Sequence, residues 1–530
     1  MTLIVRHKRR GGGAFPTTLP LAALLLLSLP LTARPAQAPD SGGAPLSVLT
    51  VGGGPEPRSN QVAIESNVRY VDRLLPQNTA LKRILFGDGK GQDPIVQYRD
   101  EGEPPSEAEQ AFRVLFGQST DNARIRYRKP ELPVLNGASN RASLSEALKE
   151  YVSEPAGRPL LVYFTGHGNQ NRQDNDNNTF ALWGERGLTV RELSQQLETL
   201  PPARPVVVVM VQCYSGAFGN LIFEGGAPTN PLQDRPICGF FATTRERVAA
   251  GCTPAVNEAD YDDFTSYFFA GLTGTTRVGK RVSPPDYNKD GRVGMDEAFA
   301  YALITEPSAD VPVATSDVFL RRFVPMSDDD FVQVPFSRIL ALASPAQRAV
   351  LESLSSALGL SGEDRLKGAL QKVRDEVARG GPEHAHEGEG SSTAAEGAAK
   401  LAEMRRSLTR RFTGLRGRRD EATFAQAREA AVKYLGEHKA ERDEILKVAR
   451  SRQSAASQQY QAQLRGARYL RLLRTAKSVV LEDKLRNGGG DAALVARFDA
   501  LKKLEAGNPL APATAALARH EPGKGSAANN

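Results

Sequence analysis

Residues 160–168 read LLVYFTGHG, and residues 205–216 read PVVVVMVQCYSG. Both are apolar runs without polar alternation, the pattern of strands covered on both faces in the middle of a sheet. Each run ends in a reactive side chain, His167 after the first and Cys213 after the second. Between them lie a polar loop rich in Asn and Asp, residues 169–178, expected to be exposed, and an amphipathic helix carrying Val190, Leu193, Leu197 and Leu200. Thr189 and Glu192 form a capping box for that helix, and Pro201-Pro202 ends it. Strand, helix, strand implies a parallel pair. The imidazole and the thiol then stand at the carboxyl ends of neighbouring strands, where sheets of this kind gather functional groups.

The same alternation extends outward. Leu46–Val51 reads as a buried strand, followed by Gly52-Gly53-Gly54 and a helix with Ile64, Val68, Val71 and Leu75 on one face. The glycine run lacks the Gly-Lys-Ser/Thr ending of a phosphate loop, so it reads as a tight turn. Leu81–Phe86 is a second strand, and Ile95–Tyr98 is a short strand in an irregular stretch, residues 88–140. Ser143 and Glu146 read as a capping box opening a helix with Leu144, Leu148 and Val152. Ile237–Thr243 is a further strand and Asp260–Leu272 a helix rich in Tyr and Phe. The fold class is α/β: a mainly parallel sheet with helices on both faces, plus a C-terminal α-helical region.

The 530-residue chain is too long for one hydrophobic core. Residues 1–38 have the form of an export signal: Arg6, Lys8, Arg9 and Arg10, then an apolar run from Leu19 to Leu31, then Ala36-Gln37-Ala38 as a small-x-small cut. The expected location is therefore periplasmic or extracellular, the alternative being an uncleaved N-terminal membrane anchor; no later segment is apolar enough to span a bilayer. The main domain is expected over residues 45–330, with a helical extension over 331–378, a flexible linker over 379–398, a helical or coiled-coil region over 399–506 and a disordered tail over 507–530. Leu464, Ala467, Leu470 and Leu473 mark an apolar stripe in the helical region. The net charge of +7 is mild for this length, and no nucleic-acid partner is expected.

Of the 6 His, His7 lies in the signal, His384 and His386 in the linker, His438 on a charged distal helix and His520 in the tail. Only His167 lies in the sheet domain, so it is the one base there for the thiol of Cys213. A histidine beside a thiol favours the thiolate nucleophile. The 3 Cys are Cys213, Cys238 and Cys252; in an oxidising compartment the expected pair is Cys238–Cys252, leaving Cys213 free. A zinc site built from His167 and the cysteines lacks any Cys-x-x-Cys spacing. Glycine flanks His167 on both sides, and Gly216 follows Cys213. Small residues there let a substrate backbone approach and let N–H groups point inward.

The His167-Gly168 and Gln212-Cys213-Tyr214-Ser215-Gly216 pair, each after an apolar strand, resembles the caspase and legumain clan of cysteine peptidases over roughly residues 45–325. The resemblance implies a caspase-like fold and an endopeptidase acting on protein or peptide through a thioester. Cys213 would attack the carbonyl, His167 would protonate the leaving amine, and the N–H groups of Gly168 and Cys213 would hold the oxyanion. In related peptidases the residue two before the nucleophile helps form the specificity pocket and in some is acidic; here it is Val211. Asp260, Asp262 and Asp263 offer acidic groups elsewhere, or cap the helix that follows them.

Residues 286–297 match the twelve-residue EF-hand loop, with Asp286, Asn288, Asp290, the carbonyl of Arg292 and Glu297 at ligand places and Gly291 at the turn. A structural Ca2+ ion is expected. Ser283-Pro284-Pro285 precludes an incoming helix. The C-terminal helices are expected either to cover the cleft or to serve self-association. Two other readings are a non-catalytic scaffold of the same fold with a helical interaction tail, and a regulatory helical protein whose first domain positions that tail.

Overall fold

The structure is a computed structural model, and it describes residues 45–511 except 101, 103–104, 117–123, 379–391, 417–420 and 489–490. The strands are β1 (Ser47–Gly53), β2 (Leu81–Phe86), β3 (Val96–Arg99), β4 (Ile125–Arg128), β5 (Leu160–Gly166), β6 (Gly168–Asn169), β7 (Thr179–Phe180), β8 (Leu188–Thr189), β9 (Val206–Met210), β10 (Ile237–Phe241) and β11 (Val313–Ala314). Six of them form one sheet in the order β11-β10-β9-β5-β1-β2. All its pairings are parallel except β10 with β11. Every residue of β1, β5, β9 and β10 is buried, so both faces of the sheet are covered.

The helices of the first half are α1 (Val62–Leu74), α2 (Glu107–Phe116), α3 (Arg141–Val152), α4 (Val190–Glu198), α5 (Phe264–Thr273), α6 (Met295–Thr305) and α7 (Thr315–Phe323). The chain leaves β1 for β2 on one side and then places β5 on the other side of β1. That reversal opens a crevice at the carboxyl ends of β1 and β5. α4 carries the expected Thr189–Glu192 capping box. α3 differs: Asn140 is its N-cap, accepting from Ser143 N, and Ser143 lies inside the helix. Asn caps as well as Ser, so the earlier of two competent residues takes the role.

The later helices are α8 (Asp328–Phe331), α9 (Phe336–Leu342), α10 (Pro345–Ala357), α11 (Arg365–Ala378), α12 (Ser392–Arg411), α13 (Glu421–Glu437), α14 (Lys439–Asn487) and α15 (Ala492–Glu505). α12 begins inside the stretch 379–398 expected as linker; the rest of that stretch, 379–391, lies outside the described residues. The expected signal, residues 1–38, lies outside them too. Among the described residues, no helix is long and apolar enough to cross a membrane.

The described residues on either side of 330, the boundary expected between the main domain and the helical region, fall in one compact unit. Leu481 and Leu485 of α14, Phe498 and Leu501 of α15, and Leu510 are buried in the same core as the sheet. Ala476, Val479 and Val480 of α14 pack with α6 and α8–α11. The N-terminal half of α14 joins α12 and α13 against α2. Polar contacts reinforce the join. Ala314, the N-cap of α7, has no capping side chain, and Glu505 of α15 does that work, accepting from Thr315 Oγ1 (2.8 Å) and Ser316 N (2.7 Å). Asp317, buried in α7, lies between Arg321 and Arg474; burial opposes its charge, but the two guanidiniums hold its carboxyl well below the usual range. The expected disordered tail is ordered at its start. Met295 N donates to Gly507 O (3.0 Å), and Asn508 Nδ2 donates to Val293 O (3.0 Å). Residues 512–530 lie outside the described ones.

Each fully buried side chain of this kind contributes about 1.5–3 kcal/mol, and a domain retains a net stability of only about 5–15 kcal/mol. A chain ended at Ala378 is therefore predicted to lack the cooperative thermal transition that the full chain shows by circular dichroism. Cooperative melting of the shortened chain would show the C-terminal helices to be a separate attachment.

Candidate active site

Register brings the carboxyl ends of β5 and β9 side by side. β5 and β9 pair with Phe164 opposite Met210, and Val211 N donates to Phe164 O (3.1 Å) one residue beyond the ladder. His167 follows β5 by one residue and Cys213 follows β9 by three, so both lie just past the carboxyl ends of neighbouring strands. Contact confirms the closeness of the main chains. A Cβ added to Gly168 would lie 2.0 Å from Cys213 O, so this position tolerates only glycine.

His167 is half-buried. Its Nε2 is 2.8 Å from Ser59 O and 2.9 Å from Gln61 Oε1, both just outside the end of β1. A carbonyl only accepts, so Nε2 carries the hydrogen and Nδ1 is the basic nitrogen. Burial pushes the imidazole pKa down, opposed by the bond to Ser59.

Cys213 is partly buried. Its Sγ accepts from Ala249 N (3.3 Å) and faces Ala249 O (3.8 Å). Among the described residues, His167 and Cys213 make no hydrogen bond to each other. Burial pushes the thiol pKa up; the Ala249 contact opposes this and the charge of Asp310 adds to it. The resting pair is therefore neutral thiol and neutral imidazole, rather than the thiolate that the sequence alone implies.

The next residue, Tyr214, has φ 60° and ψ 19°, a left-handed conformation uncommon for a non-glycine residue. It is held at both ends. Its N–H donates to Arg247 O (2.8 Å), and its carbonyl accepts from Asn178 Nδ2 (3.4 Å), which also donates to Arg245 O (2.9 Å). Asn178 is fully buried, against the expectation that the whole 169–178 loop is exposed. Its side chain is the tie between that loop and the Cys213 turn.

The Gly168 N–H is turned away from its neighbouring strand. Ala181 N donates to His167 O (2.8 Å), which makes Gly168 and Phe180 a non-hydrogen-bonded pair; the Gly168 N–H thus points away from β7. The Cys213 N–H lies close to its own sulfur, where it favours the charged form of the thiol.

Cys238 and Cys252 are not bonded; all three cysteines are free. Cys238 is buried within β10, whereas Cys252 is exposed on the loop after it, its Sγ 3.5 Å from Gly166 O. Val211 is core. Of the three aspartates, Asp263 is the N-cap of α5, accepting from Ser266 N (2.8 Å), so the capping role is the one it fills. Sequence reasoning did not reach Ser59, Gln61, Asn178, Ala249 or Asp310, whose roles depend on loops that no periodicity describes.

The loop 286–297 folds onto its own carboxylates. Asp286 accepts from Asp290 N (3.1 Å) and Gly291 N (3.0 Å), and Glu297 accepts from Asn288 N (3.0 Å) and Gly294 N (3.1 Å). Asn288 accepts from Asp290 N, and Asp290 from Arg292 N. Lys289 and Gly291 take positive φ, 61° and 83°, to close the turn. Oxygen donors suited to a hard cation thus line a short, tightly turned loop, although among the described residues no group of three or more His, Cys, Asp or Glu is gathered as a metal cluster.

No protein-family model and no curated protein matches this chain.

Alkylation of Cys213 by iodoacetamide, followed on its own peptide by mass spectrometry, is predicted to have a pH midpoint above the ordinary thiol value of about 8.5. A midpoint near or below neutrality would show a preformed thiolate–imidazolium pair. Asn178→Ala leaves the carbonyls of Tyr214 and Arg245 without this donor, so we expect a loss of about 1–3 kcal/mol in denaturant unfolding.

Proposed function

We propose that the protein is a cysteine endopeptidase similar to the caspase and legumain clan, working through Cys213 and His167. The observation that supports this reading is the close approach of the Gly168 and Cys213 main chains past the paired strands β5 and β9, beside the crevice where the strand order reverses. His167 Nδ1 takes the thiol proton as Sγ attacks the peptide carbonyl. The oxyanion forms against the N–H groups of Gly168 and Cys213. The imidazolium then returns the proton to the leaving amine, giving a thioester. Water, deprotonated by His167, releases the acid and restores the thiol. The bond from Nε2 to Ser59 O keeps Nδ1 as the base throughout. Because thiol and imidazole rest neutral, proton transfer accompanies attack instead of preceding it.

A second reading, a non-catalytic scaffold of the same fold, is favoured by one observation: the thiol is bonded to Ala249 and not to His167. A peptidyl acyloxymethyl ketone separates the two. The peptidase reading predicts modification at Cys213, with the His167→Ala variant slowed at least about a hundredfold. Absence of modification in the folded protein, or modification at Cys252 alone, supports the scaffold.

The proposal includes a structural Ca2+ held by Asp286, Asn288, Asp290, the Arg292 carbonyl and Glu297, taking no part in the chemistry. Millimolar Ca2+ is predicted to raise the melting temperature of the native chain and not that of Glu297→Gln. Equal shifts, or none in either, contradict the site. Export, through the segment 1–38, belongs to the same proposal and suits a weak extracellular calcium site.

A further inference from the structure

We infer that Asp310 is a positioning residue for the Cys213 thiol, and that the C-terminal helix α14 holds Asp310 in place through Arg471. The inference deepens the peptidase reading and rests on it for the role of the thiol.

The segment between α6 and β11, residues 306–312, belongs to neither helix nor sheet, so its main chain needs partners from elsewhere. Arg471 supplies them. It is 1% exposed and donates to Asp310 O (2.7 Å) from Nε, to Glu306 O (2.8 Å) and Leu303 O (3.3 Å) from one terminal nitrogen, and to Ser308 O (3.0 Å) from the other. A single planar guanidinium thus fixes four carbonyls around the end of α6, a helix terminus that favours a cation. Ser308 Oγ donates to the Glu306 carboxylate and accepts from Asp310 N (3.0 Å), closing the segment on itself.

This segment in turn holds the loop after β10 at two points. Ala250 N donates to Asp310 Oδ1 (2.8 Å), and Arg247 donates to Ala309 O (3.4 Å). That loop holds the nucleophile turn at two points: Ala249 N on Cys213 Sγ, and Arg247 O on Tyr214 N. The path from α14 to the sulfur is therefore a continuous series of hydrogen bonds. Asp310 Oδ2 is buried beside the Glu306 carboxyl. The carboxylate also acts on the thiol: burial pushes the Asp310 carboxyl up, and once ionised its charge disfavours thiolate at Cys213. Glu306, Arg471, Asp263 and Tyr460 also act on Asp310 or are acted on by it, and Tyr214 and Cys252 lie around the thiol. Of these, Glu306 is coupled to Asp310, and its carboxyl ionises more readily once the Asp310 charge is removed; a Glu306→Gln background keeps that change out of the comparison.

The experiment uses the full chain. Asp310→Asn keeps an acceptor for Ala250 N–H and removes the charge; Asp310→Ala removes both. The pH profile of Cys213 alkylation by iodoacetamide is measured by peptide mass for each, beside thermal melting. The expected result is a midpoint lowered by about one pH unit in Asp310→Asn with melting nearly unchanged. In Asp310→Ala and in Arg471→Met, the limiting rate at high pH should also change, by fivefold or more, as the loop loses its tie. A folded Asp310→Asn with the wild-type midpoint, or a folded Asp310→Ala with the wild-type limiting rate, overturns the inference. Alkylation reads the thiol whether or not peptides are cleaved. Altered profiles in a protein that hydrolyses no peptide would therefore uphold the positioning and sink the peptidase reading, and unaltered profiles in an active peptidase would do the reverse.

Discussion

The parallel pairing of β5 with β9 is the constraint on which the site depends. A slip of one residue in that ladder would turn Phe164 and Met210 to the wrong faces and separate His167 from Cys213. The core forbids the slip, because every side chain of both strands is buried against helices on one face or the other. Positioning of the chemistry is thus a by-product of hydrophobic burial. The groups at the strand ends are accurate because the apolar runs behind them have one way to pack.

Burial also sets the protonation states. A partly covered thiol and a half-buried imidazole both resist charge, so each rests neutral. The strained Tyr214 follows the same logic. Its left-handed backbone persists because Asn178 and the Arg247 carbonyl bind both of its polar groups. Rigid strands aim the site, and the loops between them tune it.

What could be read from the sequence follows from which forces are periodic. The strands at Leu81–Phe86, Leu160–Gly166 and Val206–Met210, and the capping box at Thr189, were legible because burial writes a repeat into the residues. The position of His167 and Cys213 followed from strand direction alone. Asn178, Ala249 and Asp310 were not legible, since a loop contact between residues far apart leaves no spacing. Asn178 ends a polar run that reads as solvated, yet its amide is sealed inside by two carbonyls. The C-terminal helices misled for another reason. Their Ala, Arg, Glu and Lys content suits an exposed helix, but Arg471 and Glu505 are charged residues used inward, one fixing carbonyls and the other capping a foreign helix. Composition counts charges and does not say which way they face.

The central claim is that one carbonyl can be held between Cys213, His167 and two backbone N–H groups. A crystal structure of the protein with a peptide aldehyde tests it most directly. The account predicts a hemithioacetal on Cys213 whose oxygen lies about 3 Å from the N–H groups of Gly168 and Cys213, with His167 Nδ1 turned toward the sulfur. An empty thiol, or an adduct whose oxygen points to solvent with His167 out of reach, would contradict it.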